Sequence, residues 1–277
     1  MSNLVSTQWL AAHLKDVRVL DASWYMPGDK RDPRAEFQMA HIPGAAFFEI
    51  DAIRDKATDL PHMLPPPQEF AEAAGALGIS NADTIVVYDG SGMFSAARVW
   101  WMFKAMGHDA IKVLDGGLPK WTREGRATES GATSPAAKSF TASFRPALLR
   151  DFQAVMQTVA SKSAQIADAR SASRFSAAEP EPRAGVRGGH MPGAVNVHYR
   201  SLLNDDGTFK STDQLRDVIA RAGIDATKPV VTTCGTGVTA AIVMLALEEI
   251  GARDVALYDG SWTEWGARPE APVVTAA

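Results

Sequence analysis

The chain has 277 residues, 46% of them hydrophobic and 22% charged, with a formal net charge of −4. This length is a prior for two domains with sizeable cores, and the weak negative charge gives neither nucleic acid nor an anionic membrane surface as a partner. No apolar run reaches the length of a membrane span, Met1 to Leu14 lacks the basic start and apolar centre of a signal peptide, and one cysteine permits neither an internal disulfide nor a Cys-based metal cluster; a cytoplasmic location is the expectation.

In chain order, Val5 to Leu14 reads as a short helix, Arg18 to Ala22 as a strand and Ile85 to Asp89 as another. Ser95 to Met106 reads as a helix with Trp100 and Trp101 in the core, and Ile111 to Leu114 as a strand running into Asp115-Gly116-Gly117 and Trp121. Strands alternating with helices predict parallel βαβ units.

The second half repeats this order. Val19-Leu20-Asp21-Ala22 returns as Ile166-Ala167-Asp168-Ala169, and His41-Ile42-Pro43-Gly44-Ala45 as His190-Met191-Pro192-Gly193-Ala194. Gly107 answers Gly251, Asp115-Gly116 answers Asp259-Gly260, and Trp121 answers Trp265. The matches lie 144 to 149 residues apart in unchanged order, which marks a duplicated domain rather than a solenoid unit. Glu129 to Ser139, rich in Ser, Ala, Thr and Gly, reads as a linker that Phe140 to Phe144 extends, with the boundary near Arg145. The expected division is a first domain over 1–128, a linker over 129–145 and a second domain over 146–277.

The second copy carries the only thiol. Pro229 to Thr233 is a β-branched run that predicts a buried strand, Thr239 to Ile250 has helical apolar spacing, and Cys234-Gly235-Thr236-Gly237-Val238 turns between them. Such a turn aims backbone N–H groups inward at a helix N-terminus, and a thiol held there is expected to ionise and react more readily than a free one. A lone cysteine is commonly just a small buried hydrophobe, but packing one needs no Gly-x-Gly turn. Cys234 is therefore the candidate nucleophile. The matching turn of the first copy, Tyr88-Asp89-Gly90-Ser91-Gly92, has no cysteine and cannot supply one.

The loop from Cys234 to Thr239 resembles the active-site loop of the rhodanese superfamily, and its Cys-Gly-Thr-Gly-Val-Thr form is similar to that of the mercaptopyruvate-using branch. Thiosulfate-using members carry basic residues at the second and third loop positions, where Gly235 and Thr236 stand here. A compact dianion needs cations beside the sulfur, whereas an organic thiol with one carboxylate needs its cation farther away. Over nearly the whole chain the resemblance implies an α/β fold of two tandem rhodanese-like domains, each a parallel sheet flanked by helices on both faces, with an inactive first copy.

The resemblance also implies the site. Arg174 and Arg183, in the long loop after Ile166 to Asp168, would hold the substrate carboxylate and carbonyl; the alternative is loop charges paired with Glu179 or Glu181. Arg170, beside Asp168, reads as a structural ion pair. Gly235, Gly237, Val238 and Thr239 would frame the substrate, and the Thr236 hydroxyl, with His62 and Asp51 of the first copy, would form a proton relay. His41 and His190 recur in both copies and so read as scaffold.

The activity that the resemblance implies is sulfur transfer from 3-mercaptopyruvate through a Cys234 persulfide to thioredoxin, a small thiol or cyanide, by a monomer that needs no metal or organic cofactor. The alternatives are a thiosulfate sulfurtransferase and a non-catalytic sulfur carrier or regulatory module. A cysteine phosphatase would need an arginine six places after Cys234, where Ala240 stands.

Overall fold

The β-branched runs pair into two sheets of the same design. The computed structural model describes residues 2–275. The first half builds β1 (Leu4–Val5), α1 (Thr7–His13), β2 (Val17–Asp21), α2 (Pro33–Met39), β3 (Ala46–Phe47), α3 (Pro67–Ala76), β4 (Thr84–Tyr88), α4 (Ala96–Ala105), β5 (Ile111–Leu114) and α5 (Gly117–Arg123). The second builds β6 (Leu149–Arg150), α6 (Phe152–Ser161), β7 (Gln165–Asp168), α7 (Ala172–Phe175), β8 (Ala194–Asn196), α8 (Thr212–Arg221), β9 (Val230–Thr233), α9 (Ala240–Glu249), β10 (Val255–Tyr258) and α10 (Ser261–Trp265).

Strand order is β1-β5-β4-β2-β3 in one sheet and β6-β10-β9-β7-β8 in the other, with every pairing parallel. Helices flank each sheet, as the α/β reading expects. In the second sheet the chain leaves β7 toward β8 on one side and leaves β9 toward β10 on the other. The turns after β7 and β9 therefore diverge from adjacent strand ends, which is where open parallel sheets bind ligands.

Local chemistry sets the elements. The helix predicted from Val5 begins later, because the Ser6 hydroxyl accepts from the Trp9 amide at 3.1 Å and caps α1, leaving Leu4–Val5 to pair with β5. A capping box between Ser211 and Gln214 starts α8, whose buried face is Leu215 and Ile219. By contrast, α9 is apolar nearly all round and buries eight consecutive residues, Ala240 to Leu247.

The chain divides into two compact units whose membership differs from the expected 1–128 and 146–277. Residues 129–145, read as a linker, belong to the first unit. Glu129 bridges His41 backbone to backbone, Ser143 N–H donates to the Met106 carbonyl at 2.8 Å, and Phe140 is buried. Gly75 makes this possible, since a Cβ there would meet the Lys138 carbonyl oxygen at 2.5 Å. The low-complexity composition of the segment conceals these anchors. Two further segments change sides: Ala57–Met63 joins the second unit and Leu203–Phe209 the first. Each follows the third strand of its own copy and precedes the next helix.

The aspartates ending β2 and β7 are both buried but differently satisfied. Asp168 has Arg170, Nη2 to Oδ2 at 2.6 Å. Asp21 accepts from the amide of Ser23 at 2.8 Å, from the Ser23 hydroxyl at 2.5 Å and from the Tyr88 hydroxyl, and burial pushes its carboxyl up to about 6. Since the folded pKa lies above the ordinary 3.8, the native state holds a proton that the unfolded chain has already released. The resulting stabilisation is complete below pH ~4 and is lost as pH rises through ~6. Asp21→Asn keeps an acceptor for Ser23 without the charge, so its stability relative to the wild type should rise by on the order of 2–3 kcal/mol between pH 4 and pH 7. Urea unfolding at both pH values measures this, and a constant difference would contradict it.

Candidate active site

The strand β9 ends at Thr233 and the next residue, Cys234, begins the turn into α9. Its sulfur faces the turn: the Gly237 amide donates to Sγ at 3.2 Å. Gly237 has φ 80°, a left-handed conformation that a side chain would strain. Cys234 is only 2% exposed. The amides of Gly235, Thr236, Val238 and Thr239 have no acceptor among the described residues, and neither does the half-buried Thr236 hydroxyl.

The Cys234 amide does not join this set, because it donates to Ser261 Oγ at 3.2 Å. The backbone of the turn is held by the start of α10: the amides of Trp262 and Thr263 donate to the carbonyls of Cys234 and Gly235, each at 2.9 Å. The Thr263 hydroxyl adds a second bond to the Gly235 carbonyl at 2.7 Å. Trp262 and Trp265 are buried and belong to the core cluster that includes Val231 and Tyr258. Ser261 and Thr263 were not singled out from sequence; the signal was the departure of Asp259-Gly260-Ser261 from Asp115-Gly116-Gly117.

The first copy shows what such a turn holds. Asp89 occupies the position of Cys234, and its buried carboxylate accepts from the amides of Ser91 at 2.9 Å, Phe94 at 2.7 Å, Ser95 at 2.9 Å and Ala96 at 2.9 Å. Ala96 is the first residue of α4, Ser95 its N-cap and Phe94 the residue before. The turn and helix N-terminus thus form an anion nest that the first copy fills with its own side chain. In the second copy a thiol stands in that place.

The loop after β7 brings a cation to the nest. Nη2 of Arg174 would lie 3.1 Å from a Cβ added at Gly235, so the glycine leaves room for the guanidinium against the turn. Glu181 holds Arg174 there, with Oε2 to Nη2 at 2.5 Å, and also takes Arg170 Nη1 at 2.8 Å. Arg170, buried beneath Arg174, spans Asp168, Glu181 and the Gly189 carbonyl and packs over the Trp262 ring at 4.2 Å. Pairing with Glu181 and proximity to the turn are therefore both true of Arg174, whose side chain remains 19% exposed.

Arg183 lies half-buried in the same loop. His62 is buried at a φ of 62° in segment Ala57–Met63, which belongs to the compact unit that contains Cys234 and Thr236. Asp51 belongs to the other unit, where its Oδ2 accepts from Trp24 Nε1 at 2.8 Å. The shared histidines are engaged as scaffold: Nδ1 of His41 meets the Phe37 carbonyl at 2.8 Å, Nδ1 of His190 meets the Phe175 carbonyl at 2.9 Å, and each ring stacks on the same phenylalanine. Arg187 gathers the carbonyls of Trp265, Gly266, Arg268 and Ala271 and so fixes the chain after α10.

Comparison with known proteins agrees with this geometry. The model of the rhodanese-like domain matches residues 6–124 and 151–268. The chain is 45% identical to the 3-mercaptopyruvate sulfurtransferase of Homo sapiens, over 96% of this chain and 93% of that protein. It is 44% identical to the thiosulfate sulfurtransferase of Bos taurus, over 95% and 91%. Among solved structures it is similar to SseA from Escherichia coli, described with the rhodanese fold of 3-mercaptopyruvate sulfotransferases, with a TM-score of 0.87 and 39% identity over 95% of this chain and 99% of that one.

If the Asp89 carboxylate holds its nest together, Asp89→Ala leaves four amides of a buried turn without their acceptor. The variant should lose about 2–4 kcal/mol of unfolding free energy in urea titrations. A loss below about 0.5 kcal/mol would show that the nest does not depend on its anion.

Proposed function

We infer the function from one premise: this chain belongs to the rhodanese family in both of its halves. It is a sulfurtransferase that takes sulfur from 3-mercaptopyruvate, with release of pyruvate. Overall identity does not separate the donors, since relatives named for mercaptopyruvate and for thiosulfate match almost equally. The observation that carries the reading is local: the turn bearing Cys234 has no cation of its own, while Arg174 is held against Gly235 by Glu181. This suits a small molecule with a carboxylate at one end and a thiol at the other.

In the proposed first step, Cys234 thiolate attacks the sulfur of mercaptopyruvate. An S–S bond forms as the C–S bond breaks, the electron pair leaves on carbon as pyruvate enolate, and the enolate takes up a proton. Arg174 and Arg183 bind the carboxylate and carbonyl, while Gly235, Gly237, Val238 and Thr239 frame the donor. Loop amides stabilise the sulfur anions. The proposed proton route is the relay of Thr236, His62 and Asp51 that the resemblance implies. In the second step an acceptor thiolate, from thioredoxin or a small thiol, or cyanide attacks the outer sulfur and restores Cys234 thiolate. A monomer working in a reducing cytoplasm completes the proposal.

Intact mass spectrometry after addition of 3-mercaptopyruvate should show one sulfur gained per chain together with pyruvate in solution, and Cys234→Ser should show neither. Sulfur gain without pyruvate would favour the carrier module. Arg174→Ala removes a charge-assisted contact to the donor carboxylate, so KM for mercaptopyruvate should rise about 10- to 100-fold, with a smaller change for thiosulfate. Arg183→Ala should act in the same direction. Equal losses with both donors, or a larger kcat/KM for thiosulfate in the wild type, would reverse the assignment of donor.

A further inference from the structure

The internal repeat isolates one position where the two copies keep the same unusual backbone but differ in side chain. Ser261 begins α10 at φ 49°, a left-handed conformation that costs a non-glycine residue free energy. Its counterpart opening α5 is Gly117, at φ 53° and without that cost. The next residue does the same work in each copy: Leu118 N–H donates to the Asp89 carbonyl at 3.1 Å, and Trp262 N–H to the Cys234 carbonyl at 2.9 Å. A glycine is thus sufficient for the fold here. In the first copy it is also required, since a Cβ at Gly117 would meet the Asp89 carbonyl oxygen at 2.5 Å.

The copy with the thiol has a serine instead. Ser261 is wholly buried, and its Oγ donates to the Tyr258 carbonyl at 2.8 Å while accepting from the Cys234 amide at 3.2 Å and lying 3.4 Å from Thr233 Oγ1. The hydroxyl ties the end of β10 to the residue that bears the sulfur. It also turns the Cys234 amide toward α10.

We propose that Ser261 is a positioning residue for sulfur transfer, its hydroxyl fixing the backbone of Cys234 so that Sγ stays aligned with the Gly237 amide, at the expense of a strained conformation that the inactive copy avoids. This rests on the sulfurtransferase reading but not on the identity of the donor. Ser261 touches no substrate, and it acts before either donor or acceptor is distinguished.

Two variants test it, with Tm, kcat and KM measured for both mercaptopyruvate and thiosulfate. Ser261→Gly removes the hydroxyl and the strain together, in a conformation that Gly117 shows the fold accepts. Relief of the strain offsets the lost hydrogen bonds to the Cys234 amide and the Tyr258 carbonyl, so its Tm should stay within a few degrees of the wild type, with kcat down about tenfold for whichever donor turns over and KM within about twofold. Ser261→Ala keeps the strain and loses the hydroxyl, so it should share the loss in kcat but show a lower Tm. Wild-type kcat in both variants would overturn the proposal, as would a loss in Ser261→Gly that tracks a fall in Tm. A wild type active with thiosulfate alone would sink the mercaptopyruvate reading and still leave Ser261 tested through thiosulfate.

Discussion

The molecule depends on one constraint imposed twice: the turn after each sheet's middle strand is clasped, backbone to backbone, by the turn after the neighbouring strand. In the second copy Trp262 and Thr263 amides hold the carbonyls of Cys234 and Gly235; in the first, Leu118 holds Asp89. With its carbonyls tied down, the turn has its amides left over, and they gather where a helix begins. A site for negative charge arises from that arrangement without any basic side chain in the turn itself.

Duplication then shows how little separates the copy without a thiol from the copy that has one. Both have the parallel sheet of the same order, the glycine of positive φ in the turn, and the imidazole that stacks on a phenylalanine and takes its carbonyl. The first fills its nest with a carboxylate held by four amides. The second replaces that carboxylate with sulfur, which can take part in bond exchange. It also replaces Ser23 by Arg170 two residues beyond the strand-end aspartate. That exchange lets a chain of charges grow outward from Asp168, whereas Asp21, held by Ser23 and Tyr88, stays costly to ionise.

Much of this was legible in the sequence because it depends on short-range pattern. The alternation of strands and helices, the Gly-x-Gly turn after a β-branched run and the recurrence of His-x-Pro-Gly-Ala are all local signals. The structural role of Arg170 could be read from its place beside Asp168. What was hidden depends on chain path. Residues 129–145 look structureless by composition, yet Glu129, Lys138 and Ser143 make specific backbone bonds to the first unit. No local pattern tells that Ala57–Met63 and Leu203–Phe209 leave their own copies. Two-residue edge strands such as Leu4–Val5 are too short for any periodicity.

The charges along the β7 loop bring a cation to a turn that has none of its own. From the interior outward they alternate: Asp168, Arg170, Glu181, Arg174. Each inner charge is compensated by its neighbours, and Glu181, only 4% exposed, is shared by two arginines. The last member has Glu181 on one side and Gly235 of the turn on the other. The buried pair with Glu181 holds the guanidinium of Arg174 against Gly235 of the turn rather than leaving it free in the loop. A donor whose anionic group lies directly on its sulfur gains little from a cation placed to one side. A donor that carries its carboxylate a few bonds away can reach both the cation and the thiol at once, and on that geometric difference the proposed preference for mercaptopyruvate rests.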